Sequence, residues 1–186
     1  MRLVTKRLIL RPLKNSDAKE TVANINNLNV SKWLLVVPHP YKFKDAKKWI
    51  KDTQKDWKKR KKESYSFGIE LKSQKKIIGG IGLHKVNKFQ GKADVGYWLG
   101  QKYWRQGYGS EALMAILDFA FRKLKLRRLE AGIFAKNPSS GKLLRKFGFK
   151  LEGLRRKRLR SKANGKIHDE EIYGLLKQEY KPRKRI

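Results

Sequence analysis

The chain contains no cysteine among its 186 residues, which excludes disulfides and thiolate-held metals. Acidic residues are scarce: 16 against 48 basic ones, a formal charge of +32. The ion-pair networks that stabilise heat-resistant proteins need both signs, so they do not explain this excess. Self-repulsion on that scale opposes compaction unless anions lie close by. A polyanionic neighbour such as RNA or the ribosome accounts for it, and so does a lysine-biased proteome. Long apolar runs are also missing. The start, "MRLVTKRLILRPLK", has no stretch suited to a signal peptide, and no later segment is built to span a bilayer. A cytoplasmic protein with no membrane contact is expected. What remains is 39% hydrophobic and 11% aromatic, enough to bury a core. One domain over residues 1–180 is expected, with 181–186 as a basic tail.

Apolar periodicity and turn residues predict an α/β protein with a mixed sheet. "RLILRPL" (7–13) alternates and stops at Pro12, as a strand does. Ser16 caps a helix over about 17–26, and "VSKWLLVVPHPY" reads as a packed loop. A helix follows over about 45–61, then strands over 64–71, 77–86 and 92–100. Helices are expected over 110–123 and from Pro138 to Lys146, with a strand, "RRLEAGIFAKN", between them. "KLEGLRRKRL" and "KIHDEEIYGLL" form a closing hairpin turned at Asn164-Gly165.

The segment "YWRQGYGSEAL" places two glycines directly before a helix. A helix start leaves several N–H groups unpaired and carries about half a positive charge. Glycines beside it let an anion approach those groups. Arg105, Gln106, Gly107, Tyr108, Gly109 and Ser110 therefore suit a phosphate or pyrophosphate, although a tight turn would use the same residues. The closing Gly-Lys-Ser/Thr of a P-loop is absent, as is the third glycine of a dinucleotide fingerprint.

That segment resembles the cofactor loop of the GNAT acetyltransferase superfamily. "TKRLILRPLKNSDA", "GYWLG", "NPSSGKLLRKFGF" and "HDEEIYGLLKQE" stand in the same order and spacing as in its Rim-type ribosomal-protein N-acetyltransferases. The resemblance spans nearly the whole chain. It implies a mostly antiparallel sheet, splayed at the cofactor site and flanked by about four helices. It also implies an enzyme that uses acetyl-CoA and releases CoA. By position, Tyr97, Trp98 and Leu99 would pair with the pantetheine arm, residues 105–110 would hold the pyrophosphate, and Asn137 would contact the arm. Trp104 stands where the family usually has Gln or Arg.

The implied chemistry is attack of a neutral amine on a thioester. Leu144 stands where many members carry the tyrosine they use as acid; Ser140 matches the serine of the Rim-type pattern and by that resemblance would serve, directly or through water. Asp94 is the base candidate carried forward; Glu70, Glu130, Glu152, His84 and His168 are alternatives. Glu111 fits a dipole-stabilising place in the first helical turn. An α-amino group has a pKa of about 8 and lysine about 10.4, so a site without a strong base suits the α-amine of a protein N-terminus. A polyamine or aminoglycoside acceptor, or an RNA- or ribosome-binding protein that has kept the fold, are the alternatives. Two basic clusters, "KDWKKRKKE" and "RRKRLRSK", fit rRNA contact, or a solvated helix face and a charge-protected strand edge. No metal site is expected, and the oligomeric expectation is a monomer or homodimer.

Overall fold

A computed structural model describes residues 1–182; positions 183–186 of the expected basic tail lie outside the described residues. The N-terminal segment forms β1 (Leu3–Val4) and β2 (Leu8–Arg11), which Pro12 ends by withholding an N–H from the ladder. Then come α1 (Ala18–Ile25), α2 (Leu28–Ser31) and α3 (Phe43–Lys58). Strands β3 (Tyr65–Leu71), β4 (Lys76–Asn87) and β5 (Lys92–Leu99) form an antiparallel meander. Helix α4 (Tyr108–Asp118), β6 (Arg128–Phe134) and α5 (Pro138–Lys146) follow, and β7 (Lys150–Arg160) with β8 (Ile167–Leu176) closes the chain. All eight strands join one sheet in the order β1-β2-β3-β4-β5-β6-β8-β7.

Local chemistry explains the boundaries. The Asp45 carboxylate accepts the Lys42 N–H at 2.8 Å and starts α3; Asp17 does the same for Lys14 at 2.6 Å ahead of α1. Pro138 opens α5 at the position where its missing N–H costs nothing. Gly148, at φ +90°, ends the turn that follows. Three expectations shift. Asn27 caps a short helix, α2, at the edge of the segment read as a packed loop. Helix α4 begins at Tyr108, two residues early, because Gly107 adopts φ +82° and turns the chain there. The closing hairpin is wider than a two-residue Asn-Gly turn: Ser161 and Lys166 pair, and Gly165 takes φ +70°.

Alternation along the strands gives the sheet two unlike faces. One buries Leu8, Leu10, Phe67, Leu83, Leu129 and Leu175 against α4 and α5. In α4, Leu113, Ile116 and Leu117 supply the inward stripe. After Asp118 the helix widens: Leu124 N–H reaches the Phe119 carbonyl, five residues back. Phe119, Ala120 and Phe121 are all buried along this wide turn. The other face lies under α1–α3, with Leu13, Ile25, Ala46, Ile50 and Ile77 at its centre.

A buried ion network locks the N-terminal strand beneath α1. Arg11, 7% exposed, donates to Asp17 at 2.7 and 2.9 Å and to Glu70 at 2.5 Å. Replacing the guanidinium would strand two carboxylates out of reach of water. Arg11→Leu is expected to cost about 3–5 kcal/mol in urea unfolding. A loss below about 1 kcal/mol would show that the network does not hold this corner.

Candidate active site

The sheet opens where β5 and β6 part. They pair in parallel only at Lys92–Arg128, Ala93–Leu129 and Asp94–Glu130. Beyond Asp94, β5 stays with β4 while β6 stays with β8. Gly100 N–H donates to the Ile78 carbonyl at 2.9 Å, which sets the hydrogen-bonding phase of β5 against β4. By alternation, Trp98 and Gly96 turn their backbone groups to β4, and Tyr97 and Leu99 turn theirs into the gap. Of the three β5 residues expected to meet an extended ligand, two therefore present main chain to it. The side chain of Trp98 packs instead on Trp49, with ring centroids 6.3 Å apart.

At the same end of the sheet lies the glycine loop. Arg105, Gln106 and Gly107 are exposed; Tyr108, Gly109 and Ser110 are half-buried. Arg105, at φ +58°, and Gly107, at φ +82°, both adopt the left-handed region, which curls the loop over the start of α4. No side chain caps that start, and the first helical bond runs from Glu111 N–H to the Gly107 carbonyl at 3.0 Å. The N–H groups of Tyr108, Gly109 and Ser110 precede it in the turn that has no intrahelical partners. A diphosphate fits this cradle in charge and shape: Arg7 and Arg105 flank it, and Lys146 Nζ lies 3.4 Å from Ser110 Oγ.

Arg7 was not legible in the sequence as part of this loop. Its guanidinium lies 4.4 Å from the Tyr108 ring centroid and donates to the Gln106 carbonyl at 3.0 Å. Glu111 holds it there. That carboxylate, 5% exposed, accepts from Thr5 Oγ1 at 2.6 Å and from both Arg7 N–H and Arg7 Nε at 2.7 Å. Burial pushes the Glu111 pKa up, but the Thr5 and Arg7 hydrogen bonds outweigh it and hold the carboxyl below its ordinary value. Besides its place near the helix dipole, Glu111 thus fastens the β1–β2 turn to the start of α4. Trp104 donates its indole N–H to the Leu99 carbonyl at 2.8 Å, tying the loop to β5.

On the α4–α5 face, Tyr97 and Ser140 meet. The phenol lies 2.8 Å from Ser140 Oγ, and burial pushes its pKa up to about 12. It is a neutral hydroxyl at physiological pH. Asn137 caps α5 by accepting the Ser140 N–H at 3.2 Å, which orients that serine. Leu144, at the position where many members of the family carry a tyrosine, is fully buried, and the phenol beside Ser140 is that of Tyr97 on β5.

On the α3 face, the register lines up His84, Asp94 and Glu130 across β4, β5 and β6. Asp94 is bonded to Lys85 Nζ at 2.8 Å. Glu130 is bonded to Arg128 at 2.8 Å, which helps hold its pKa below the usual range. His84 Nδ1 lies 3.0 Å from Ser64 Oγ, and its ring reaches over Gly96. Crowding by neighbouring protein pulls its pKa down despite the opposing charges of Asp94 and Asp56, although the side chain stays exposed at one edge. The Glu170 carboxylate covers Gly132. Trp33, Phe134 and His168 pack together with centroids 4.9–6.4 Å apart, and Lys162 N–H donates to the Leu35 carbonyl, bridging the β7–β8 turn to the segment after α2. Of the other base candidates, Glu70 belongs to the Arg11 network and Glu152 is bonded to Arg128. Among the described residues no cluster could hold a metal ion.

A mixed sheet parted between two parallel strands, with an uncapped glycine-fronted helix at the opening, defines an acyl-CoA-binding architecture. The chain matches the acetyltransferase (GNAT) domain family over residues 7–150 and belongs to it. It is 32% identical over 180 residues to the "uncharacterized N-acetyltransferase p20" of Bacillus licheniformis, covering 96% of this chain and 97% of that protein. It is 29% identical over 89 residues to the ribosomal-protein-serine acetyltransferase of Escherichia coli, covering 48% of this chain and 50% of the other. A spermidine N-acetyltransferase of Vibrio cholerae, solved with CoA and spermine, superposes with a TM-score of 0.79 at 22% identity, covering 95% of this chain and 99% of that one. The protein is an N-acetyltransferase, and its cofactor is acetyl-CoA.

The Glu111 fastening carries a pH signature. Its folded-state pKa lies below the unfolded value, so its stabilisation is present above about pH 4.5 and is lost as pH falls through the folded pKa. Glu111→Gln is expected to lower unfolding free energy by about 1–3 kcal/mol at pH 7, with the gap closing on acidification. A gap independent of pH would contradict the assignment.

Proposed function

We propose that this enzyme acetylates the N-terminal α-amino group of a protein, with a ribosomal protein as the acceptor class, in the cytoplasm. The observation that carries the reading is the acidic row. In a chain of +32, Asp94, Glu130 and Glu170 gather on one face beside the β5–β6 opening. Each carboxylate is paired with a cation, Lys85, Arg128 and Arg155 respectively, and an incoming ammonium group would exchange with these partners; the His84 imidazole over Gly96 can take its proton at Nε2 while Nδ1 stays with Ser64. An imidazole is a modest base, which suits an α-amine of pKa about 8 better than a lysine near 10.4. We assign Asp94 to stabilising the imidazolium that forms, with Lys85 as its counter-ion.

The bound cofactor supplies an acetyl group activated as a thioester. The Tyr97 and Leu99 backbone groups align the arm along β5, and residues 105–110 with Arg7 grip its diphosphate. Asn137 contacts the arm from the start of α5. Ser140 Oγ, held by the Tyr97 phenol, would donate a hydrogen bond to the departing thiolate. The ribosomal-protein-serine acetyltransferase similarity supports the acceptor class. A polyamine is the second reading, favoured by the same carboxylates.

The test is thiol release from acetyl-CoA with peptides bearing ribosomal-protein N-termini, the same peptides blocked at the α-amine, and spermidine. Free N-termini are expected to turn over and blocked ones to fail. Ser140→Ala is expected to lower kcat by about 100-fold with CoA affinity changed less than about threefold. Faster turnover of spermidine than of every peptide would overturn the acceptor assignment.

A further inference from the structure

The strongest unabsorbed feature is the outer edge of the sheet. Strand β7 has β8 on one side and, among the described residues, no strand on the other. Its residues Arg155, Arg156, Lys157, Arg158 and Arg160 are all exposed. The ladder breaks in the middle of them. Arg155 pairs with Glu170 and Leu159 with His168, so three residues of β7 oppose one of β8. The extra length arches outward, with Lys157 at φ +49°. Asp169 fixes the arch by accepting the Lys157 main-chain N–H at 2.7 Å. Among the described residues, Arg155 alone of the five has a carboxylate partner, Glu170 at 3.4 Å.

Two observations separate this arch from general basicity. Only 15 of the 48 basic residues are arginine, yet four of them occupy Arg155, Arg156, Arg158 and Arg160. A lysine-biased composition would place lysine here, and so would edge protection alone. Arginine is the side chain whose planar fork matches a phosphate. The other basic cluster, residues 55–63, differs in kind: Arg60 is its one arginine among six cations, and the cluster starts on the last turns of α3, where Lys59 is bonded to Asp56.

We propose that the β7 arch is a docking surface for the phosphate backbone of RNA. A protein partner would need an apolar centre; residues 155–158 are all cationic, and the exposed Leu151, Leu154 and Ile167 flank the arch without filling it. Adding a strand to this edge is blocked, because the arch interrupts the ladder. No aromatic residue lies between Leu151 and Lys162, so the contacts go to phosphates rather than stacked bases and carry no sequence preference. Pairing of β6 with β8 ends at Phe134–Glu170, and the arch begins at the same β8 residue, where Arg155 pairs with Glu170, at the end of the sheet where β5 and β6 part. RNA held there lies beside the acceptor face. The proposal deepens the ribosomal reading by naming its contact surface, and the two can fail separately.

The test is fluorescence anisotropy with a labelled mixed-sequence RNA of about 20 nucleotides across a salt series. The R156Q/K157Q/R158Q protein is expected to bind at least about tenfold more weakly near 0.15 M salt, with a log–log salt slope shallower by about 2–3. Removing the same charge as K58Q/K61Q/K62Q should weaken binding less than about threefold if the arch is the site. Arg156→Lys with Arg158→Lys keeps charge and fold, and is expected to fall between the parent and the triple variant. Equal losses in the two triple variants, no loss at the arch, or polyglutamate competing as well as unlabelled RNA would each overturn the proposal. Acetyl transfer to a short peptide should be the same in the arch variant and the parent. That readout tests the catalytic reading independently of RNA.

Discussion

One buried carboxylate organises the cofactor end of the molecule. Glu111 loses its water and recovers the energy through Thr5, the Arg7 main chain and the Arg7 guanidinium. The contact joins residues more than a hundred positions apart. It does two things at once. It anchors the first turn of α4 to the β1–β2 corner, so the helix start cannot drift from the sheet. It also presents Arg7 to the loop, where its charge adds to that of Arg105 and to the helix dipole. An anion site made of main-chain amides works only if those amides are held still, and Glu111 holds them.

The parting of β5 from β6 then divides the chemistry between two faces. The face toward α5 carries Tyr97 and Ser140, both neutral hydroxyls in a tightly packed corner. The face toward α3 carries His84, Asp94, Glu130 and Glu170. In the mechanism proposed above, the hydrogen-bond donor to the leaving group and the proton acceptor thus stand on opposite faces of the sheet. Only the gap, lined by the backbone of Tyr97 and Leu99, connects them. Alternation along β5 produces this separation: consecutive residues cannot face the same way.

Much of this was legible in the sequence because it is local. Glycines before an apolar helix, Asn-Pro before another, and alternating strands are short-range signals, and the loop at 105–110 and the cap at Asn137 follow from them. The family resemblance supplied the splay, which periodicity does not encode. Long-range pairings stayed hidden. Nothing in "TKRL" announces that Arg7 reaches Gln106, nor that Tyr97 meets Ser140, since both depend on strand order and register. Asp94 shows the same limit from the other side. A carboxylate on a central strand reads as a base, and nothing local shows that Asp94 pairs with Lys85 or that His84 stands opposite it. The turn at Asn164-Gly165 widened for a local reason: the Ser161–Lys166 pair closes first.

The central claim is that unpaired amides at the start of α4 grip the coenzyme's diphosphate. Backbone amide NMR during titration with CoA tests it most directly. The account predicts that the largest shifts fall on Tyr108, Gly109 and Ser110, with Tyr97 and Leu99 next. Shifts centred on other elements, with residues 107–110 unmoved at saturation, would contradict it.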